Sequence, residues 1–176
     1  TMAVAAAQNC LQGFDRSRVD AVLFATTTYA FAEKQGAAII AKALNLKGDV
    51  RTADISHSTR AGTIALQSAI DAVKAGSAQR VLVIAADCRM GAPGSGFETN
   101  TGDAAAAFLI GAEGAIAALD CACAHTTEII DIWRKQGDRF AHSWEDCFVN
   151  VHGYIENTVA AIKGLSAKSG VALSAI

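Results

Sequence analysis

The stretch VRTADISHSTRAGTIALQSAIDAVKAGSA, residues 50–78, decides the fold of this chain. Its first seven residues have the composition of a short strand, and residues 57–59 form a tight elbow. A long helix follows, with Leu66, Ile70 and Val73 at helical spacing and alanine at many of the other positions. Because so little of this helix is polar, we expect it to lie buried in the middle of a domain.

The start of this helix is the first candidate for a functional site. Ser58 or Thr59 is expected to cap the helix, and Gly76 with Ser77 is expected to end it. At a helix start the backbone N–H groups are unpaired and the helix dipole favours negative charge. Enzymes place nucleophiles at such positions, so the elbow is predicted to carry the chemistry.

Composition limits the class of protein. The chain has 176 residues, of which 52% are hydrophobic and 18% charged, which is enough for one domain with a full core. The formal net charge of -2 comes without a basic block, which argues against nucleic acid as a partner. No apolar run reaches the roughly 18 residues of a membrane span, and no signal peptide is recognisable. We therefore expect a cytoplasmic protein that binds neither nucleic acid nor membrane.

The predicted elements alternate between helix and strand. The apolar runs 19–27 and 81–86 predict strands buried on both faces of a parallel sheet. Residues 104–110 and 115–124 predict two more strands joined by a tight turn. With the strand at 50–56, these runs predict an α/β fold in which a five-stranded, mainly parallel sheet lies between helices. Both ends of the chain look like cuts, so we expect residues 1–176 to be a single half domain of a longer protein.

Three polar segments follow the predicted parallel strands. Thr27 ends the first strand, residues 56–59 follow the second, and Asp87 follows the third. Ligands of open α/β sheets bind beyond the carboxyl ends of the strands. The sequence therefore predicts a site at this edge of the sheet.

Several segments resemble the N-terminal half of the thiolase superfamily. VDAVLFATTT, at 19–28, resembles the second strand of the ketoacyl synthase III group, and ADISHSTRAGTIAL, at 53–66, resembles the strand and helix that bear its catalytic cysteine. The similarity is closer to hydroxymethylglutaryl-CoA synthase, through RAGT at 60–63, GAPGSGFET at 91–99 and IIDIWRKQGDRFAHSWEDCF at 129–148.

The resemblance implies a thiolase-like fold with a buried central helix. It also implies an acyltransferase that forms a carbon-carbon bond, with a coenzyme A thioester as substrate and no covalently bound cofactor. The implied partners are acyl-CoA and either a second copy, as a homodimer, or other subunits in a hetero-oligomer.

Two residues depart from the family pattern. Thr59 stands where the family has its nucleophilic cysteine, and Thr27 stands where it has a glutamate that acts as general acid and base. A cysteine at a helix start can be a thiolate near neutral pH, whereas a threonine hydroxyl needs a base beside it. His57 is the local candidate for that base. Thr59 is therefore either an acyl-accepting hydroxyl or a helix cap in a site that has lost its chemistry, and Thr27 either joins the site or merely ends a strand.

Three functions remain open at this point. The first is a condensing acyltransferase with Thr59 at the nucleophile position. The second is a non-catalytic thiolase-fold subunit that binds acyl-CoA or a partner protein. The third is a retro-aldol or hydrolytic reaction in which the helix start polarises a bound thioester carbonyl.

A metal site is not expected. Cys121, Cys123 and His125 have the ligand types that suit zinc, but their spacing lacks the usual Cys-x-x-Cys form and no second pair exists. The five cysteines are an odd number in a chain of this size, and we expect them to be reduced. Arg134 is either a ligand of a coenzyme A phosphate or an exposed arginine without that role.

Overall fold

The structure is a computed structural model that describes Thr1–Ala175. The chain divides into two compact units. The first unit comprises Thr1–Arg89 and Thr101–Ile116, and the second comprises Met90–Asn100 and the residues from Ala117 onward.

The first unit is built on a mixed four-stranded sheet. The strands run in the spatial order β2-β1-β3-β4, with the first three parallel and the fourth antiparallel to its neighbour. This is the predicted α/β fold. The elements of this unit are α1 (Met2–Cys10), β1 (Ala21–Ala25), α2 (Gly36–Ala43), β2 (Arg51–Ile55), α3 (Ala61–Lys74), β3 (Arg80–Asp87) and β4 (Ala104–Gly111), with a 3₁₀ turn at Arg16–Arg18.

The helices cover both faces of this sheet. Alternate residues of a strand point to opposite faces, and here they contribute to two separate clusters of buried side chains. On one face, Val22 of β1 packs in a cluster with residues of α1 and α2. On the other face, Ala21 of β1 packs with α3. The first unit is therefore a three-layer arrangement.

The contact between α3 and the sheet is made by alanines. Ala61, Ala65 and Ala69 are buried, and their spacing of four places them on one stripe of the helix. Small side chains allow the helix to lie close to the strands. Beside this stripe, Ile64 and Ser68 are exposed in this chain.

The prediction of a fifth strand at 115–124 is wrong. The described residues of this segment pair with no strand, and Ile116 and Leu119 are exposed. The segment is rich in alanine, which is depleted in strands because it offers little side chain to pack on a sheet. The sheet of the first unit has four strands.

The second unit contains a small hairpin and a long helical segment. The strands β5 (Ile132–Trp133) and β6 (His142–Ser143) pair antiparallel. The helical segment has two parts, a π-helical stretch over Val149–Ile155 and then α6 (Glu156–Ser169). Among the described residues, no helix has the length and apolar character needed to cross a membrane. The remaining elements are α4 (Gly96–Asn100), α5 (Asp146–Phe148) and a 3₁₀ turn at Leu173–Ala175.

Candidate active site

The carboxyl ends of β1, β2 and β3 meet at one edge of the first unit. The segment Thr26–Thr28 leaves β1, the elbow 56–60 leaves β2, and Asp87 ends β3. Because β1 lies between the other two strands, its exit segment is flanked by both. The N–H of Thr26 donates to the carbonyl oxygen of Ile55 at 3.1 Å, which joins the first two exits. The structure thus brings together the three segments that the sequence places at this edge.

One carboxylate oxygen accepts hydrogen bonds from the segment Thr26–Thr28 that follows β1, called the β1 exit below. The Oδ1 atom of Asp87 accepts from the N–H groups of Thr27 and Thr28, at 2.7 and 3.0 Å. It also lies within 2.9 to 3.1 Å of the hydroxyls of Thr26, Thr27 and Thr28. Five donors around one oxygen make Asp87 the centre of this network.

The network also fixes the charge of Asp87. Partial burial raises the pKa of the Asp87 carboxyl, but the hydrogen bonds from the Thr27 N–H and from the hydroxyls of Thr26, Thr28 and Thr27 together lower it further. The pKa therefore lies below its ordinary value of 3.8. A carboxylate with a lowered pKa is a weak base, so Asp87 orients the threonines rather than accepting a proton from them.

A second set of hydrogen bonds ties the end of β3 to the same threonines. The N–H of Cys88 donates to Oγ1 of Thr28 at 2.9 Å, and the N–H of Thr28 donates to Oγ1 of Thr26 at 3.1 Å. The Cys88 side chain itself is exposed. The exits of β1 and β3 are therefore held as one polar cluster.

Thr27 is half-buried inside this cluster, and its hydroxyl donates to Asp87. A carboxylate thus lies beside Thr27, supplied by the neighbouring strand β3. Sequence reasoning placed Thr27 and Asp87 at the same edge but missed their hydrogen bonds. The available signal was the run of three threonines directly after β1.

The elbow differs in detail from its prediction. Arg60 occupies the N-cap position of α3, so the prediction that Ser58 or Thr59 caps this helix is wrong. Ser58 supports the helix start instead, because its Oγ accepts from the N–H of Arg60 at 3.1 Å and its carbonyl oxygen accepts from the N–H of Ala61 at 3.0 Å. The backbone of His57 is left-handed, with φ of 68°. The chain turns at His57 before it enters the helix, and the N-cap lies one residue after Thr59.

Thr59 lies exposed on this elbow, directly before the N-cap. Among the described residues, no hydrogen bond joins its hydroxyl to His57 or to Cys88. A threonine hydroxyl is a weak nucleophile unless a base lies within hydrogen-bond reach. The elbow therefore presents a hydroxyl at a helix start without either of these two candidate bases engaged.

The other candidate residues lie in the second unit. Cys121, Cys123 and His125 are in a segment without helix or strand, and Arg134 is exposed just after β5. Within Thr1–Ala175, no group of three or more His, Cys, Asp or Glu side chains is placed to hold a metal ion. The cysteines of the described chain are free thiols.

The chain is similar over nearly its whole length to hydroxymethylglutaryl-CoA synthases. No model of a protein family matches it. The chain is 31% identical over 172 residues to hydroxymethylglutaryl-CoA synthase of Methanocaldococcus jannaschii, a match that covers 97% of this chain and 50% of that protein. It is 32% identical over 163 residues to the enzyme of Methanocella arvoryzae, covering 92% of this chain and 46% of that protein.

Solved structures give the same answer for the fold. A crystal structure of HMG-CoA synthase complexed with coenzyme A superposes with a TM-score of 0.90 at 23% identity, covering 99% of this chain and 45% of that chain. The HMG synthase of the curacin biosynthetic pathway, in complex with an acetyl donor-ACP, superposes with a TM-score of 0.86 at 21% identity, covering 98% of this chain and 44% of that chain.

The chain spans about half the length of the curated relatives it matches. Over nearly its whole length, it is homologous to the N-terminal half of hydroxymethylglutaryl-CoA synthases, whose thiolase-like fold it shares.

Proposed function

We propose that the protein is a condensing acyltransferase of the hydroxymethylglutaryl-CoA synthase type that acts on acyl-CoA thioesters. The observation that carries this proposal is the similarity to those synthases over 97% of the chain, which includes the strand, elbow and helix around Thr59. Relatives of the same fold have been solved with coenzyme A and with an acyl carrier protein. Both carriers present an acyl group as a thioester, so no covalently bound cofactor is needed.

The proposed chemistry begins at the start of α3. The dipole of this helix favours negative charge at its start, and it would stabilise the oxyanion that forms when a thioester carbonyl is attacked. In the transfer step, the Thr59 hydroxyl forms a C–O bond with the acyl carbon, the C–S bond breaks, and coenzyme A leaves as the thiol with the hydroxyl proton. Thr27 takes the place of the family's acid and base residue, with Asp87 beside it.

A second function is favoured by a specific observation. Thr59 makes no hydrogen bond to His57 or Cys88 within the described chain, so neither residue supplies the base that the transfer step needs. A non-catalytic subunit that binds acyl-CoA, or a partner protein, fits this arrangement. In either case we propose a cytoplasmic protein that works as a homodimer or in a hetero-oligomer.

The experiment that separates these functions is intact-mass spectrometry after incubation of the complete protein with a panel of acyl-CoAs. Wild type, Thr59→Ala and Thr59→Cys are compared, and peptide mapping locates any adduct, because Cys88 is an exposed thiol nearby. Thr63→Cys is the matched control, since it places an exposed thiol one turn further along the same helix.

Each outcome decides between the functions. An acyl adduct on wild type that is lost in Thr59→Ala establishes a working hydroxyl nucleophile. An adduct in Thr59→Cys alone, and not in Thr63→Cys, establishes an acyl-CoA site that has given up the covalent step. If neither Thr59 in wild type nor residue 59 in Thr59→Cys carries an adduct, the acyltransferase proposal is contradicted.

A further inference from the structure

A second carboxylate lies on the other side of the β1 exit. Asp54 is a residue of β2, five positions before Thr59. Its Oδ1 accepts from the N–H of Ala37 at 2.7 Å, and its Oδ2 accepts from the N–H of Gly36 at 2.7 Å. The Asp54 carboxylate on β2 therefore accepts hydrogen bonds from the first two N–H groups of α2.

The Oδ2 atom of Asp54 also binds the loop that follows Thr26–Thr28. The hydroxyl of Tyr29 donates to Oδ2 of Asp54 at 2.8 Å, and the Tyr29 ring packs against Phe24 with ring centroids 6.4 Å apart. Burial and the charge and hydrogen bond of Asp54 raise the pKa of Tyr29 to about 12. The phenol is therefore protonated near neutral pH and donates to Asp54.

A neighbouring pair reinforces this attachment. The hydroxyl of Thr52, also on β2, donates to Oε1 of Gln35 at 2.6 Å, and Nε2 of Gln35 donates to the carbonyl oxygen of Thr52 at 2.8 Å. Residues 30–35 are exposed. The described contacts thus attach both ends of this exposed loop to β2.

Tyr29 directly follows Thr28, which donates its N–H and its hydroxyl to Asp87 at 3.0 and 2.9 Å. Two adjacent residues of the β1 exit are therefore held by carboxylates from the strands on either side of β1. We propose that Asp54 is a positioning residue that acts through Tyr29 to fix the threonine segment of the candidate active site. This inference rests on the proposed function.

The test compares Asp54→Asn, Tyr29→Phe and the double variant in the complete protein. Tyr29→Phe keeps the ring and the cap of α2 but removes the hydroxyl. We expect kcat for acyl-CoA turnover to fall about tenfold or more in each single variant with KM within about twofold, because small displacements of active-site groups cost rate rather than binding. The double variant is expected to lose no more than the worse single variant, since the Tyr29 hydroxyl is proposed to act through the Asp54 carboxylate. Asp49→Asn is the matched control, because that carboxylate is 76% exposed.

Amide hydrogen exchange separates this inference from the proposed function. Peptides that contain residues 26–29 are expected to exchange faster in Asp54→Asn and in Tyr29→Phe, while peptides from β3 keep their protection. Faster exchange without any turnover in wild type would contradict the proposed function and leave the positioning role standing. Unchanged exchange at 26–29, or rates per folded molecule equal to wild type in an active enzyme, would overturn the inference. Additive losses in the double variant would also overturn it.

Discussion

The amide nitrogen of Thr27 lies 2.7 Å from Oδ1 of Asp87, a residue 60 positions further along the chain. This hydrogen bond joins the exits of two neighbouring parallel strands. The hydroxyls of Thr26, Thr27 and Thr28 lie around the same oxygen, so Asp87 binds all three residues of this segment. The polar edge of the sheet is therefore built by long-range contacts rather than by a local motif.

Asp87→Ala is expected to lower the free energy of unfolding by about 1–3 kcal/mol, because it leaves the partly buried donors of the β1 exit without an acceptor. Urea unfolding of the variant and wild type measures the change. Asp103→Asn, an exposed acidic residue of the same unit, is the control and is expected to change stability by less than about 0.5 kcal/mol. Equal stabilities of Asp87→Ala and wild type would mean that the network is not formed in solution.

The stability that Asp87 provides should depend on pH. Its pKa is lowered in the folded state, so its contribution is present above the ordinary value of 3.8 and is lost as the pH falls through the folded pKa. Between about pH 6 and pH 3, wild type is expected to lose more stability than Asp87→Asn. Urea midpoints across this range measure the difference. Parallel acid curves for the two proteins would show that the pKa is not lowered.

Replacement by alanine is expected to change stability in opposite directions at two glycines. A Cβ on Gly36 would lie 2.8 Å from Cδ1 of Phe24 and 2.9 Å from Cε2 of Tyr29, so Gly36→Ala is expected to cost about 1–3 kcal/mol. A Cβ on Gly62 would lie 3.7 Å from that of Ala85, an ordinary contact, so Gly62→Ala is expected to gain about 0.5–1 kcal/mol from helix propensity. Thermal unfolding of both variants checks the signs, and the same sign for both would refute this packing.

His57 offers a test of the elbow. Its left-handed backbone, with φ of 68°, costs a residue with a side chain about 1–2 kcal/mol. His57→Val is expected to destabilise by about 1–2 kcal/mol, since β-branched residues tolerate this region poorly. His57→Gly is expected to be neutral or slightly stabilising, because glycine relieves the strain but gains freedom in the unfolded chain. A valine variant as stable as wild type would show that the elbow has another conformation.

The first unit was largely predictable because its elements have strong local signals. The apolar run at 19–27 contains β1, the run at 81–86 lies within β3, and the small-residue helix after the elbow was also predicted. The segment 115–124 was predicted wrongly, because a short apolar segment does not by itself show whether it pairs with a neighbouring strand. Family resemblance, rather than periodicity, supplied the expectation for Thr59.

The hydrogen bonds of the site were beyond sequence reasoning. The acceptor roles of Asp54 and Asp87 depend on the spatial order of the strands, which places β1 between β2 and β3. Sequence order alone gives no such neighbour relation. The cap of α3 was missed for a different reason, because Ser58 and Thr59 are both good caps by residue type, whereas the N-cap position is occupied by Arg60.

The alanine stripe of α3 has a consequence for how the elbow can change. Ala61, Ala65 and Ala69 have no side-chain torsions with which to absorb a shift, so the backbone of the helix rests almost directly on the strands. Replacing one of these alanines by a larger residue would push α3 away from the sheet as a rigid body and would displace Thr59 with it. The position of the Thr59 hydroxyl thus depends on the size of three buried residues behind it in the core.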